Sequence, residues 1–255
     1  MTNVLIFPEE TALAAAAAAF ILRVAQDAIA ERGRFTIALT GGSSPVKAYQ
    51  LLAHTPAERA DWGKWEVFLG DDRFVSPDDD RSNFGQARRT LLSHIPLSTD
   101  HIYPIATDAA SPEEAALQYV ETLGQVFDLP VNGPPPVFDL ILLGMGDDGH
   151  CASLFPHMPT LNVMDRWVIS SPPGTLPPPV DRVTMTFPVL NAAREVLFLV
   201  SGFKKAIPLR DILEGGATPE VHPAAAVQPV QGELTWLLDT AAASLLSKSH
   251  AGQNV

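Results

Sequence analysis

The chain has a single cysteine, Cys151, among its 255 residues. No intrachain disulfide can form, and a structural zinc site built from clustered cysteines is excluded. Cations are scarce as well: 17 Lys and Arg stand against 29 Asp and Glu, a formal charge of -12. Nucleic acid is therefore excluded as a partner, because binding a phosphate backbone draws on a clustered excess of Lys and Arg. A long apolar run is also missing. The stretch Ala12 to Leu22 is too short to cross a bilayer. Glu9 and Glu10 precede it, where a cleavable signal carries positive charge. The expectation is a cytoplasmic protein without membrane attachment, in a reducing compartment. The acidity sets one condition: an anionic ligand is repelled by the overall field and must be received by a local basic cluster.

What is present is material for a core. With 46% hydrophobic and 18% charged residues, residues 1–255 suffice for a single α/β domain. Short apolar runs at Phe35 to Leu39, Val67 to Leu69, Phe138 to Leu143, Val168 to Ser170, Val183 to Thr186 and Val196 to Val200 read as buried strands. Several lead through Gly-containing turns into helix starts, as in the crossover units of a mostly parallel sheet between helices. The Ala-rich stretch after Pro8 is predicted as a helix with Leu13, Phe20 and Val24 on one face and Gly33 ending it. Ser111, Pro112, Glu113 and Glu114 combine a cap, a first-turn proline and first-turn acids. Thr240 to Leu246 is helix-like. Gly133 to Pro136 and Pro172 to Pro179 are short and directly precede strands, so they read as surface loops. The run Asp78, Asp79, Asp80 reads as a solvated turn, since no His at ligand spacing accompanies it.

In open α/β sheets ligands bind beyond the carboxyl ends of the strands, and four such places carry chemistry. The first is Thr40, Gly41, Gly42, Ser43, Ser44, Pro45. Its glycines admit a close ligand, Ser44 can cap the next helix, and such a helix start attracts phosphate. The Gly-Lys-Ser/Thr ending of a nucleotide loop is absent, so ATP is not implied. The second is Gly70, Asp71, Asp72, Arg73, followed by Ser82 and Asn83: either a surface turn with an ion pair, or carboxylates and a cation for substrate. The third is Gly144, Met145, Gly146, Asp147, Asp148, Gly149, His150. It contains the dinucleotide-binding glycine spacing, but Asp147 and Asp148 would sit where a pyrophosphate needs positive potential, so no nicotinamide cofactor is expected. The same loop can present an imidazole and a carboxylate to a small substrate, with glycine N–H groups for a developing oxyanion. Cys151 has no orienting partner and reads as a packing residue. The fourth place is Arg182 together with Lys204 and Lys205, cations at strand ends that can supply the basic cluster or can be plain surface charge.

Taken together, TGGSSP, FLGDDRFV with RSNF, LILLGMGDDGHCASLFP, RVTMT and SGFKKA resemble the motif series of the 6-phosphogluconolactonases, from about Thr40 to Lys205 and in the same order. That family lies within the wider glucosamine-6-phosphate isomerase and deaminase group. The resemblance implies a Rossmann-like three-layer α/β sandwich with a mostly parallel sheet. It also implies hydrolysis of 6-phospho-D-glucono-1,5-lactone to 6-phospho-D-gluconate in the oxidative pentose phosphate pathway. By position it makes His150 the general base with Asp148 beside it, and Asp72 a further catalytic carboxylate. Gly41, Gly42, Ser43, Arg73, Arg182 and Lys205 would hold the substrate, mainly its phosphate; Lys205 matches, not Lys204, because it directly precedes Ala206. Two departures are visible: Asp72 stands where Glu is more familiar, and Cys151 where Thr is. The scheme calls for no cofactor and no metal, and the expected partner is the phosphorylated sugar lactone alone, met by a monomer or small homo-oligomer.

Two other activities fit parts of the pattern. A glucosamine-6-phosphate deaminase or isomerase of the same group would carry an acid a few residues after the histidine, where Leu154, Phe155 and Pro156 stand. A non-catalytic sugar-phosphate-binding module of a regulator would need a DNA-binding segment, for which the sequence offers no candidate stretch.

Overall fold

The computed structural model describes residues 2–175 and 178–247. Leu176 and Pro177, in the second Pro-rich loop, fall outside the described residues. Among the described residues ten strands are formed: β1 (Thr2–Phe7), β2 (Phe35–Leu39), β3 (Trp65–Leu69), β4 (Asp71–Arg73), β5 (Ile102–Tyr103), β6 (Leu140–Leu143), β7 (Val168–Ser171), β8 (Arg182–Met185), β9 (Glu195–Val200) and β10 (Glu233–Asp239). The α-helices are α1 (Glu10–Arg32), α2 (Ser44–Ala53), α3 (Ala57–Ala60), α4 (Asn83–Thr90), α5 (Pro112–Phe127), α6 (Phe187–Ala192) and α7 (Ala206–Leu213).

Seven strands make one sheet in the order β1-β10-β9-β6-β2-β3-β5, and every neighbouring pair in it is parallel. Its central strands are apolar on both faces; β2 and β6 are buried along their whole length. That is the pattern of a parallel sheet covered by helices on both sides, and the fold is the expected three-layer α/β type. After β2 the chain moves outward to β3, whereas after β6 it moves the opposite way to β9. The loops leaving β2 and β6 therefore diverge, opening a crevice at the carboxyl edge of the sheet between them.

Four sequence expectations are corrected. The runs assigned to β7 and β8 do not join the parallel sheet; with β4 they form a separate antiparallel sheet in the order β4-β8-β7, lying against α5. An apolar run gives burial but not strand direction, which is why the two sheets read alike. Thr240 to Leu246 is a series of turns, not a helix. Its one i→i+4 bond, Ala243 N to Asp239 O at 3.0 Å, is not continued. Helix α2 starts one residue early, so Ser43 takes the cap position without a side-chain cap bond and the Ser44 hydroxyl bonds that of Ser201 at 3.0 Å. Helix α1 is longer than its most apolar stretch, 23 residues, and ends as expected at Gly33 with φ 76°. It is long and apolar enough to cross a membrane, but Leu13, Ala14, Ala17, Ala18, Ile21, Val24, Ala25 and Ala28 are buried in the core against the sheet and α2.

Two buried tyrosines close the ends of central strands. The Tyr49 hydroxyl, from α2, accepts from Thr40 N at 3.1 Å and donates to Thr40 O at 2.8 Å. The Tyr119 hydroxyl, from α5, does the same for Leu69, at 2.9 and 3.0 Å. Both strand ends are thus fixed to a covering helix just before the loops that carry chemistry.

Candidate active site

A cavity of about 340 Å³ lies at the crevice between the loops after β2 and β6. Gly41, Gly42 and Ser43 line it from the first loop, Asp147 and His150 from the second, and Arg73, Arg182 and Lys205 close it with positive charge. Of the residues expected from sequence, Asp148 and Asp72 are not part of the lining. Asp148 sits directly behind His150, and Asp72 is turned away.

The β6 loop folds back on itself to present His150. Gly146 N donates to His150 O at 2.8 Å and Gly149 N donates to Gly146 O at 3.1 Å. These two N–H groups are committed within the loop, which removes them from the oxyanion role expected of its glycines. Gly149 has φ 82°, the left-handed region that favours glycine. Asp148 Oδ1 lies 2.6 Å from His150 Nδ1 and accepts from His150 N at 3.1 Å. A carboxylate can only accept here, so Nδ1 carries the proton and Nε2 is left with its lone pair. Burial opposes the Asp148 charge, but the bonds from His150 outweigh it and hold the carboxyl below its ordinary range.

The ring of His150 packs on Phe155, with centroids 4.7 Å apart, and the guanidinium of Arg182 lies over the same phenyl at 5.1 Å. Phe155 thus fixes an imidazole and a guanidinium at once. A Cβ on Gly174 would strike the Phe155 ring, so the Pro-rich loop closes over it at a glycine.

Arg182 is 3% exposed and donates to Pro178 O at 3.1 Å. Burial lowers its pKa, with Asp71 opposing and Arg73 adding to the effect. Arg73 and Arg182 are cross-strand partners in the β4–β8 register, so the two cations stand side by side. Arg73 Nη1 donates to Asn83 Oδ1 at 2.5 Å and to Arg81 O at 2.8 Å. Lys205 Nζ is 2.5 Å from Asp147 Oδ1.

Of the two neighbouring acids, Asp71 faces the cavity. Its carboxylate accepts from Ser153 Oγ at 2.6 Å and Asn83 Nδ2 at 3.2 Å. Asp72 accepts from Arg73 N, Asn83 N, Phe84 N and Ser82 Oγ at 2.6–3.2 Å. It anchors the start of α4, and burial pushes its carboxyl up to about 6 against the opposing bonds from Phe84 and Asn83. A Cβ on Gly41 would run into the Asn83 amide, which ties the glycine turn to this network. Sequence reasoning gave no role to Ser153 or Phe155, whose partners Asp71 and Arg182 are distant in sequence; only their place in the histidine motif pointed to them. Cys151 is fully buried, and burial pushes its thiol well above the ordinary range, as suits a packing residue.

The sequence profile described as glucosamine-6-phosphate isomerases/6-phosphogluconolactonase matches residues 8–236. A 6-phosphogluconolactonase of Synechocystis sp. is 46% identical over 212 residues, spanning 83% of this chain and 85% of its own. One of Nostoc sp. is 41% identical over 242 residues, spanning 95% and 97%. The structure of the 6-phosphogluconolactonase from Trypanosoma cruzi superposes with a TM-score of 0.85 at 28% identity, covering 97% of both chains. With its strand order, its crevice and these likenesses in agreement, the chain belongs to the family of glucosamine-6-phosphate isomerases and 6-phosphogluconolactonases.

Proposed function

We propose that this protein hydrolyses 6-phospho-D-glucono-1,5-lactone to 6-phospho-D-gluconate, as its lactonase relatives are named for doing, within the cytoplasmic oxidative pentose phosphate pathway. The observation that carries this reading is the Asp148–His150 pair at 2.6 Å, set in a crevice bordered by Arg73, Arg182 and Lys205. His150 Nε2 takes a proton from water as the water oxygen attacks the lactone carbonyl. The tetrahedral intermediate then expels the ring oxygen, which leaves as a hydroxyl with the proton returned by His150. Asp148 keeps the imidazole in the tautomer this requires and stabilises its cation. The phosphate is met by the cations and by the open start of α2, and holding it fixes the ring against the water. The oxyanion is met by positive charge at the rim, since Gly146 and Gly149 are spoken for. Neither metal nor organic cofactor enters any step.

Leu154 and Phe155, fully buried, occupy the stretch where a deaminase of the group would carry its acid. This favours lactone hydrolysis over deamination. The test generates the lactone in place and follows 6-phosphogluconate with the protein, with His150→Ala and with no protein, because the lactone also hydrolyses unaided. The wild type is expected to exceed the blank, and His150→Ala to lose ~10²- to 10⁴-fold in kcat while its circular dichroism is unchanged. A wild type equal to the blank would overturn the assignment.

A further inference from the structure

We propose that His222 is a positioning residue for the Asp148–His150 pair, holding the loop that carries them without itself lining the cavity. This rests on the function proposed above, though not for all of its test. No motif marks His222 in the sequence, and it lies 74 residues from Asp148.

Three contacts converge on the loop from the segment of His222. The ring nitrogen Nδ1 of His222 is 3.0 Å from the backbone carbonyl of Asp148. Ala224 N donates to Gly149 O at 2.9 Å. The ring also lies against the α-carbon of Gly149, where an added Cβ would fall 2.5 Å from His222 Nδ1. A side chain at Gly149 is thus barred twice, by its φ of 82° and by His222. The imidazole is itself held. Its Nε2 faces Asp211 Oδ2 at 3.5 Å, from α7. Asp211 in turn accepts from Arg210 Nη2 at 2.6 Å, and that bond foremost keeps its carboxyl below the ordinary range. A carbonyl only accepts, so the bond at 3.0 Å puts a proton on Nδ1. The sequence of contacts therefore runs from Arg210 through Asp211 and His222 to the peptide that joins Asp148 to Gly149.

His150 acts only if its Nε2 is aimed within a fraction of an ångström, and a misplacement near 1 Å costs ~10²-fold. The β6 loop has no regular secondary structure to hold it, so its aim depends on contacts such as these. Losing the His222 bond is expected to lower kcat with little change in KM, because the groups that meet the phosphate are untouched.

The experiment compares His222→Ala and His222→Asn with the wild type, reading lactone hydrolysis and the ring resonances of His150 by NMR as pH is varied. Asn can place an amide N–H near the position of Nδ1. The expected result is a fall in kcat of about tenfold or more for His222→Ala at a KM within about twofold of wild type, with most of the loss recovered by His222→Asn. The His150 titration midpoint should move in the Ala variant and return in the Asn variant. Unchanged kcat in His222→Ala, or an Asn variant as impaired as Ala, would overturn the proposal while leaving the lactonase reading intact. If the wild type shows no turnover above the blank, the function fails instead, and an unmoved His150 resonance would then reject the positioning role on its own.

Discussion

Single side chains here divide into those that touch the cavity and those that aim them. Lys205 belongs to the first kind, but it is already paired with Asp147 at 2.5 Å. On the function proposed, substrate phosphate would share or displace that partner, and the lysine would contribute binding common to ground and transition states. Lys205→Ala is therefore expected to raise KM more than it lowers kcat; equal falls in kcat and kcat/KM would reject that role. Asp72 belongs to the second kind, and its titration is a measure of its burial. Its carboxyl has an ordinary value of 3.8 and is pushed up to about 6 in the fold. Between these values the folded state binds more protons than the unfolded one, so its contribution to stability falls as pH rises from about 4 to about 6 and is level above that. Urea midpoints of the wild type and Asp72→Asn should therefore drift apart or together across that window, the wild type losing ground as pH rises. A wild type that gained ground as pH rose would mean that the hydrogen bonds, not burial, govern this carboxyl.

At the level of elements, α1 shows how closely the layers pack. Ala14, Ala17, Ala25 and Ala28 are fully buried on it, so the helix comes close to the sheet only because these positions are small. Ala25→Leu is expected to cost about 1–3 kcal/mol in denaturant unfolding by overpacking, with kcat unchanged since α1 does not line the cavity. The elements differ in how legible they were. Strands β2, β3, β6 and β9 are buried for most of their length and show as apolar runs, interrupted only by Thr36 in β2, Glu66 in β3 and Glu195 at the start of β9, and α5 is announced by its Ser111 cap, whose hydroxyl does accept from Glu114 N at 3.2 Å. β1 and β10 were missed. β10 mixes Glu233, Thr235 and Asp239 into its run, and β1 is the edge strand beside it. The motif residues around the cavity were legible because Gly41 to Ser43, His150 and Lys205 come in loops after strands of the large sheet, and Arg73 and Arg182 stand at strand ends. Their supports were not: Asp71 rather than Asp72 faces the cavity because β4 pairs antiparallel with β8, a pairing that no local pattern discloses.

For the molecule as a whole, the condition set by a charge of -12 is met by concentrating three cations at one crevice. Occupying that crevice should stabilise the fold by mass action. At roughly a hundredfold excess of 6-phosphogluconate over its Kd, about 2.7 kcal/mol is gained, a rise in Tm of about 5–10 °C for a chain of this size. Calorimetric scans with the ligand and with gluconate lacking phosphate would check this, and equal shifts for both would show that the phosphate is not what is held. The side-by-side placement of Arg73 and Arg182 carries the point further. Like charges directly opposite each other weaken a strand pair, so an anion bound between them would be expected to strengthen the small antiparallel sheet. On the function proposed, the protein would be least durable without its ligand, and its survival against heat or proteases would become a record of how much phosphorylated acid surrounds it. Supply of the metabolite would set not only how fast the protein works but how long it lasts.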